Sequence, residues 1–238
     1  YLADERPLIA QQFSDAGFDT VAFHSNPHIG RMRNHHNGFD TFQDAAEGSD
    51  SVATLKDRVE RIVPTDSALY SLLRRGWHYF TQTTNMSAYA KADTITDTAI
   101  EWIERDWDDD PFFLWLHYMD VHYPFFPPKQ HVEALGLNPI SKGRAGKLNR
   151  QMHEEPAQLD EDDVAELQKL YDGEIRFTDY EIGRLLDEFE ARNILDETAV
   201  FVTADHGEAF GEHDRFGHHS YPYEEIIRVP LITLTPGN

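Results

Sequence analysis

Asp205 and His206 close an apolar run in the stretch "VFVTADHGEAFGEHDRFGHH" (Val200–His219), and His213, His218 and His219 follow them within the same stretch. An aspartate beside an imidazole offers a hard oxygen and a borderline nitrogen. That pair suits Ca2+, Mn2+ or Zn2+ better than an ion that prefers thiolates. The same pair also has plainer readings, in which the groups relay protons, or the aspartate caps the next turn while the histidine packs beneath it. Two donors are too few to hold an ion tightly, so a metal site needs ligands from elsewhere in the chain.

The elements that must carry these groups can be read from the hydrophobic pattern. Apolar runs ending abruptly in polar residues behave as buried strands delivering side chains to the rim of a sheet. Three such ends carry clusters: "HSNPH" after "DTVAFHS" (Asp19–Ser25), "HYMDVHYP" within and after "PFFLWLHYM" (Pro111–Met119), and "ADHGE" after "TAVFVTA". "VPLITL" reads as a further strand. In open α/β sheets, ligand sites gather at the carboxyl ends of the strands. Helical spacing is expected over residues 4–16, with Leu8, Ile9 and Phe13 on one side, over Thr65–Phe80, and over Ser87–Trp107 through Tyr89, Ala92, Ile95, Ala99 and Trp102. The clearest helix follows Leu159. There Val164, Leu167, Tyr171, Ile175, Thr178, Ile182, Leu185 and Phe189 repeat at three- or four-residue spacing behind an acidic start. Alternating helices and strands imply an α/β sheet flanked by helices. Asn26–Gly48 reads as loop. The proline-rich stretch from Pro124 to Asp160 reads as an irregular insertion carrying a basic cluster, Lys142, Arg144, Lys147 and Arg150.

Composition narrows the partners. The chain has 238 residues, 43 acidic against 21 basic, and a formal net charge of −22. With 40% hydrophobic residues it can bury a core despite that charge. A strongly acidic, lysine-poor composition is suited to high salt, so a halophilic source is expected. It also argues against nucleic acid as a partner, because no basic stripe neutralises phosphates. Cysteine is absent, which removes disulfides, thiolate ligands and a cysteine nucleophile from these residues. No run approaches 18 apolar residues, so no membrane-spanning helix is expected. The ends resemble mid-protein sequence, and the chain is expected to be open at both. Compartment and oligomeric state are not legible.

The block "ETAVFVTADHGEAFGEHDRFGHHSYPYEEIIRVPLI" resembles the metal-binding block of the sulfatase family, within the alkaline phosphatase-like superfamily. "YDGEIRFTDYEIGRLLDEFE" resembles the family helix before it, "PFFLWLHYMDVHYPFFPP" its strand ending in Asp-x-His-x-Pro, and "FSDAGFDTVAFHSNPHIG" a segment nearer the start. The resemblance implies a mixed, mostly parallel sheet in a three-layer α/β/α arrangement, with residues 1–238 as the central part of one catalytic domain and the insertion at about 124–160. It implies Asp205 and His206 as ligands of one divalent cation, Ca2+ by analogy, with Mn2+ or Zn2+ open. His122 would contact the oxygens of the transferred group, and His218, or less readily His219, would stand beside the leaving-group oxygen. Asn26 falls where many sulfatases carry lysine, and His28 matches a neighbouring histidine; both would bind substrate. The nucleophile, a formylglycine matured from Cys or Ser, is expected upstream, so the isolated chain is expected to be inactive.

Hydrolysis of a sulfate ester needs an activated nucleophile, charge stabilisation on the nonbridging oxygens and a proton for the departing alkoxide. A cation serves the first two, and an imidazole of unperturbed pKa about 6.5 the third. Asn26 in place of lysine keeps open a phosphodiesterase, phosphonate monoester hydrolase or phosphoglycerol transferase of the same superfamily. The basic cluster could recognise an anionic polymer. A different class of reading is a non-catalytic acidic domain that binds cations, under which the strand-end clusters would not converge.

Overall fold

The computed structural model describes residues 8–26, 28–30, 34–45, 89–218 and 221–237. The helical spacing over Thr65–Phe80, the start of the first expected helix, and His219 lie outside the described residues. The chain divides into two compact units, one reaching to Met119 and the other comprising mainly Asp120 onward.

The first unit is built on a parallel sheet in the order β2-β1-β3, with β1 at Asp19–His24, β2 at Thr41–Asp44 and β3 at Phe112–His117. In β1 every residue from Thr20 to His24 is buried, as expected of a central parallel strand. β1 runs in register with β3 (Ala22 opposite Trp115) and with β2 (Ala22 opposite Phe42). The sequence reading took β2 as loop because "TFQD" is short and half polar. It is a strand because Asp40 delivers it: Asp40 Oδ2 accepts from Thr20 N–H at 3.0 Å and Thr20 Oγ1 at 2.7 Å.

Helix α1 (Ile9–Asp15) turns Ala10 inward and leaves Ile9 exposed, while Phe13 stacks on Phe113 at 4.6 Å. Phe13 therefore packs as the spacing suggested, while Ala10 takes the inward place expected of Ile9. Helix α2 (Ala92–Arg105) buries Ala92, Ile95, Ala99 and Trp102 at the expected spacing.

The second unit is organised by helix α5 (Glu161–Ala191), whose 31 residues span about 46 Å. A reciprocal capping box starts it: Asp163 N–H donates to Asp160 Oδ1 at 2.8 Å, and Asp160 N–H to Asp163 Oδ2 at 3.4 Å. Two helices form inside the segment expected to be irregular, α3 (Lys129–Ala134) and α4 (Lys142–Glu154), and both pack on α5. Gly173 permits the α3 approach, since a Cβ there would stand 2.8 Å from Pro127 and Val132 side-chain carbons. Phe125, Phe126, Ala145, Leu148, Met152, Leu167, Leu170 and Phe210 form one apolar cluster. Arg144, expected to face a polymer, instead donates to Glu166 Oε2 at 2.6 Å and to Asp163, tying α4 to α5.

β4 (Val200–Thr203) and β7 (Leu231–Leu234) pair antiparallel as a two-stranded sheet, Phe201 opposite Thr233. Their apolar runs suggested burial, yet Phe201, Leu231 and Ile232 are exposed. A hairpin, β5 (Ala209–Phe210) with β6 (Phe216–Gly217), and a single helical turn, α6 (Glu224–Ile227), complete the unit.

Candidate active site

Asp205 and His206 follow β4 by two and three residues, and Gly207 fixes the turn that presents them. Gly207 N–H donates to Ile226 O at 2.7 Å, and a Cβ at position 207 would stand 2.1 Å from Glu225 O. Only glycine lets this turn lie against α6. His206 Nδ1 is 2.8 Å from its neighbour's carbonyl, Gly207 O. A carbonyl can only accept, so Nδ1 carries the proton and Nε2 keeps the lone pair. That Nε2 is 3.7 Å from Asp205 Oδ1, which places one nitrogen and one carboxylate donor side by side.

The β5–β6 hairpin brings in the next group. Ala209 opposes Gly217, so the preceding and following residues, Glu208 and His218, face each other across the open end. His218 Nδ1 lies 3.3 and 3.2 Å from the two Glu208 carboxylate oxygens. The Glu208 side chain is almost wholly buried. This carboxylate, absent from the sequence expectations, holds the His218 ring and raises its pKa above the ordinary histidine value, against the opposing effect of burial. Reading "GEAFGEHDRFGHH" as a hairpin centred on His213 would have found the pairing.

His122 enters from the loop after β3. Its Nδ1 donates to Tyr123 O, and its pKa is lowered first by burial, with the charges of His218 and His206 adding to that. The three imidazoles form a string. His206 stacks on His218 with centroids 4.3 Å apart and planes 23° apart, and His218 meets His122 at 4.8 Å. Each ring is anchored through Nδ1, and in His206 and His218 this turns Nε2 toward binding an ion or exchanging a proton. Asp205 lies at one end of the string, and the half-buried His122 at the other.

The remaining candidates make other contacts. His213 pairs with Glu225 Oε1 at 2.9 Å and stacks on Tyr223 at 3.9 Å. Asn26 and His28 belong to the first unit, where Asn26 Oδ1 accepts from His28 N–H at 2.8 Å and closes a side-chain turn after β1. Asp120, two residues before His122, is fully buried. Among the described residues, no three His, Asp or Glu side chains are grouped to hold an ion. The Asp205–His206 pair thus fits one side of a coordination sphere. No helix among the described residues is long and apolar enough to cross a membrane.

Comparison with known proteins sets this geometry in a family. The sulfatase family model matches residues 1–238. An arylsulfatase of Clostridium perfringens is 27% identical over 153 residues, covering 60% of this chain and 32% of that protein. Human iduronate 2-sulfatase is 26% identical over 167 residues, covering 60% and 30%. The chain therefore spans about a third of the length of these relatives. In fold it is similar to the phosphonate monoester hydrolase of Agrobacterium radiobacter, with a TM-score of 0.60 at 16% identity over 99% of this chain and 54% of that one. The fold is mixed α/β with a parallel sheet, and the chain belongs to the sulfatase family.

Proposed function

We propose that the protein containing this chain hydrolyses sulfate esters, and that residues 1–238 form the central part of its catalytic domain, within a three-layer α/β/α arrangement. The observation that carries this reading is the His206–His218–His122 string beside Asp205, in a chain of the sulfatase family. Asp205 and His206 would hold one divalent cation, Ca2+ by family analogy, through Asp205 oxygen and His206 Nε2. When bound, the cation would supply charge stabilisation to the sulfuryl oxygens and lower the pKa of the nucleophile. The string contains no hydroxyl or thiol, so the nucleophile, a formylglycine in this reading, lies outside it.

His218 acts as the general acid. Glu208 holds its Nδ1 and favours the protonated ring, so Nε2 can pass a proton to the departing alkoxide. His122 would contact an oxygen of the transferring group through Nε2, which donates only when the ring is doubly protonated, because Nδ1 already donates to Tyr123 O. Asn26 and His28 would bind the substrate's charged group from the loop after β1. The contact between His122 and His218 supports catalysis over a non-catalytic cation-binding domain, because residues following two separate strands meet there.

A second reading is phosphoryl chemistry, as a phosphodiesterase or phosphonate monoester hydrolase. It is favoured by the neutral amide of Asn26 where sulfatases commonly place a lysine. Turnover of 4-nitrophenyl sulfate, bis(4-nitrophenyl) phosphate and a phenylphosphonate ester by the full-length protein, with Ca2+, Mn2+ or Zn2+ added in turn, separates the two. Preference for the sulfate ester supports the first reading, preference for a phosphorus ester replaces it with the second, and no turnover of any removes both.

A further inference from the structure

We propose that Asn149, His153 and Glu174 are positioning residues, which hold the Phe125–Phe126 backbone and the Tyr123 ring and through them orient the His122 ring. The proposal rests on the reading of His122 as a group that meets the ester. It assigns a role to α4, which lies in the proline-rich segment that no catalytic argument had used.

His122 lies in neither helix nor strand. A hydrogen bond from its Nδ1 to the carbonyl of the next residue orients the ring, so the placement of the Tyr123 peptide bears on where Nε2 stands. A loop has no ladder to fix such a peptide. Here the ladder is supplied by side chains. Asn149 Oδ1 accepts from Phe125 N–H at 2.8 Å, and Asn149 Nδ2 donates to Phe125 O at 2.9 Å. The amide thereby pairs with Phe125 as a neighbouring strand would. Asn149 Nδ2 also donates to Ala145 O at 2.9 Å, which locks its rotamer to its own helix. Glu174 on α5 accepts from Phe126 N–H at 2.6 Å. One turn beyond Asn149 on α4, His153 stacks on the Tyr123 ring at 5.3 Å, with planes 21° apart.

The choice of residue types argues for position rather than filling. Asn149 and Glu174 are both fully buried, in a unit whose core is otherwise Phe, Leu, Met and Ala. A buried carboxylate or amide stabilises less than an apolar side chain of equal volume unless its bonds specify a geometry. Both sets of bonds land three and four residues after His122, on Phe125 and Phe126.

The test uses the full-length protein with 15N-labelled histidine. The ring nitrogen shifts of His122 report which nitrogen carries the proton, and kcat and KM are measured in parallel. In the wild type His122 is expected as the Nδ1–H tautomer. Asn149→Asp, which loses the donor, and Glu174→Leu, which loses the acceptor, should each give mixed tautomers and a kcat about 10- to 100-fold lower, with KM little changed. Glu174→Gln keeps an acceptor and should restore both readouts. Where Glu174→Leu fails to fold, the exposed His153→Ala serves in its place, with a smaller shift in the same direction. An unchanged His122 tautomer in the folded variants overturns the proposal. If the wild type cleaves no ester, the functional reading fails, and the ring shifts still decide whether these residues orient His122.

Discussion

His218 Nδ1 is shared almost equally between the two oxygens of Glu208, at 3.3 and 3.2 Å, although the two residues are ten positions apart. The short β5–β6 hairpin sets that meeting, and burial of the carboxylate strengthens it. Glu208→Gln keeps the shape and removes the charge. Since His218 donates a proton in the proposed reaction, activity is present below its pKa and lost as pH rises through it. Loss of the charge lowers that pKa. The alkaline limb of the kcat profile should therefore move to lower pH, with kcat down about 10- to 100-fold at neutrality. An unmoved limb would remove His218 from the acid role.

Gly207 should tolerate no side chain. With a Cβ at 2.1 Å from Glu225 O, Gly207→Ala must push the turn off α6 and break the bond to Ile226 O. The expected destabilisation is about 1–3 kcal/mol, read from urea unfolding. Because Asp205 and His206 sit on the same turn, the variant should also weaken cation binding. Wild-type stability in Gly207→Ala would mean that the close approach is not sustained in solution.

Cation binding itself is tested by calorimetry of the full-length protein with Ca2+ and Mn2+. Asp205→Asn leaves a neutral oxygen and His206→Ala removes the nitrogen, so each should weaken affinity more than about 10-fold. His213→Ala serves as a comparison, since that ring is paired with Glu225 and is not assigned to the cation. Equal losses in all three variants would indicate a general structural effect and count against the assigned pair.

A net charge of −22 predicts a response to salt. Raising KCl from about 0.1 to 1 M shortens the screening length from about 10 to 3 Å and relieves repulsion between carboxylates. The thermal midpoint should rise over that range. A flat or falling midpoint would contradict adaptation to high salt.

The parts of this fold most legible in sequence are those where burial and periodicity agree. β1 shows through its apolar Val21–Phe23 and is buried, α2 buries the residues its spacing selects, and β3 shows as the apolar run Phe112–Leu116 although it is only half-buried where burial was expected. Legibility fails where polar groups are buried. On α5 the inward face includes Glu174 and Glu181, while Ile175 faces outward. A periodicity that scores carboxylates as exposed therefore reads the helix correctly but shifts its face. Helix α4 was hidden for the same reason: it buries Ala145, Leu148 and Met152 among glycines and charges, and its central contact is made by Asn149. At the site, the histidines were visible by type and spacing. Glu208 was not, because its role depends on a hairpin register rather than on local pattern.

The pair of Arg144 with Asp163 links α4 to the start of α5 and gives the second unit an acid-sensitive joint. The Arg144 guanidinium holds the Asp163 carboxyl below the usual carboxylate range, with the capping bond from Asp160 N–H assisting. A carboxyl whose folded pKa is depressed stabilises the fold fully above its unfolded pKa of about 3.9 and loses that contribution as pH falls through the folded value. Asp163→Asn retains an acceptor for Asp160 N–H but has no charge to titrate. Stability of the wild type should therefore drop more steeply than that of the variant below about pH 4, with the two curves converging in acid. Arg144→Gln should flatten the same limb, because it removes the cause of the shift. Parallel curves for wild type and both variants in urea unfolding between about pH 2 and 6 would show that this pair does not couple α4 to α5.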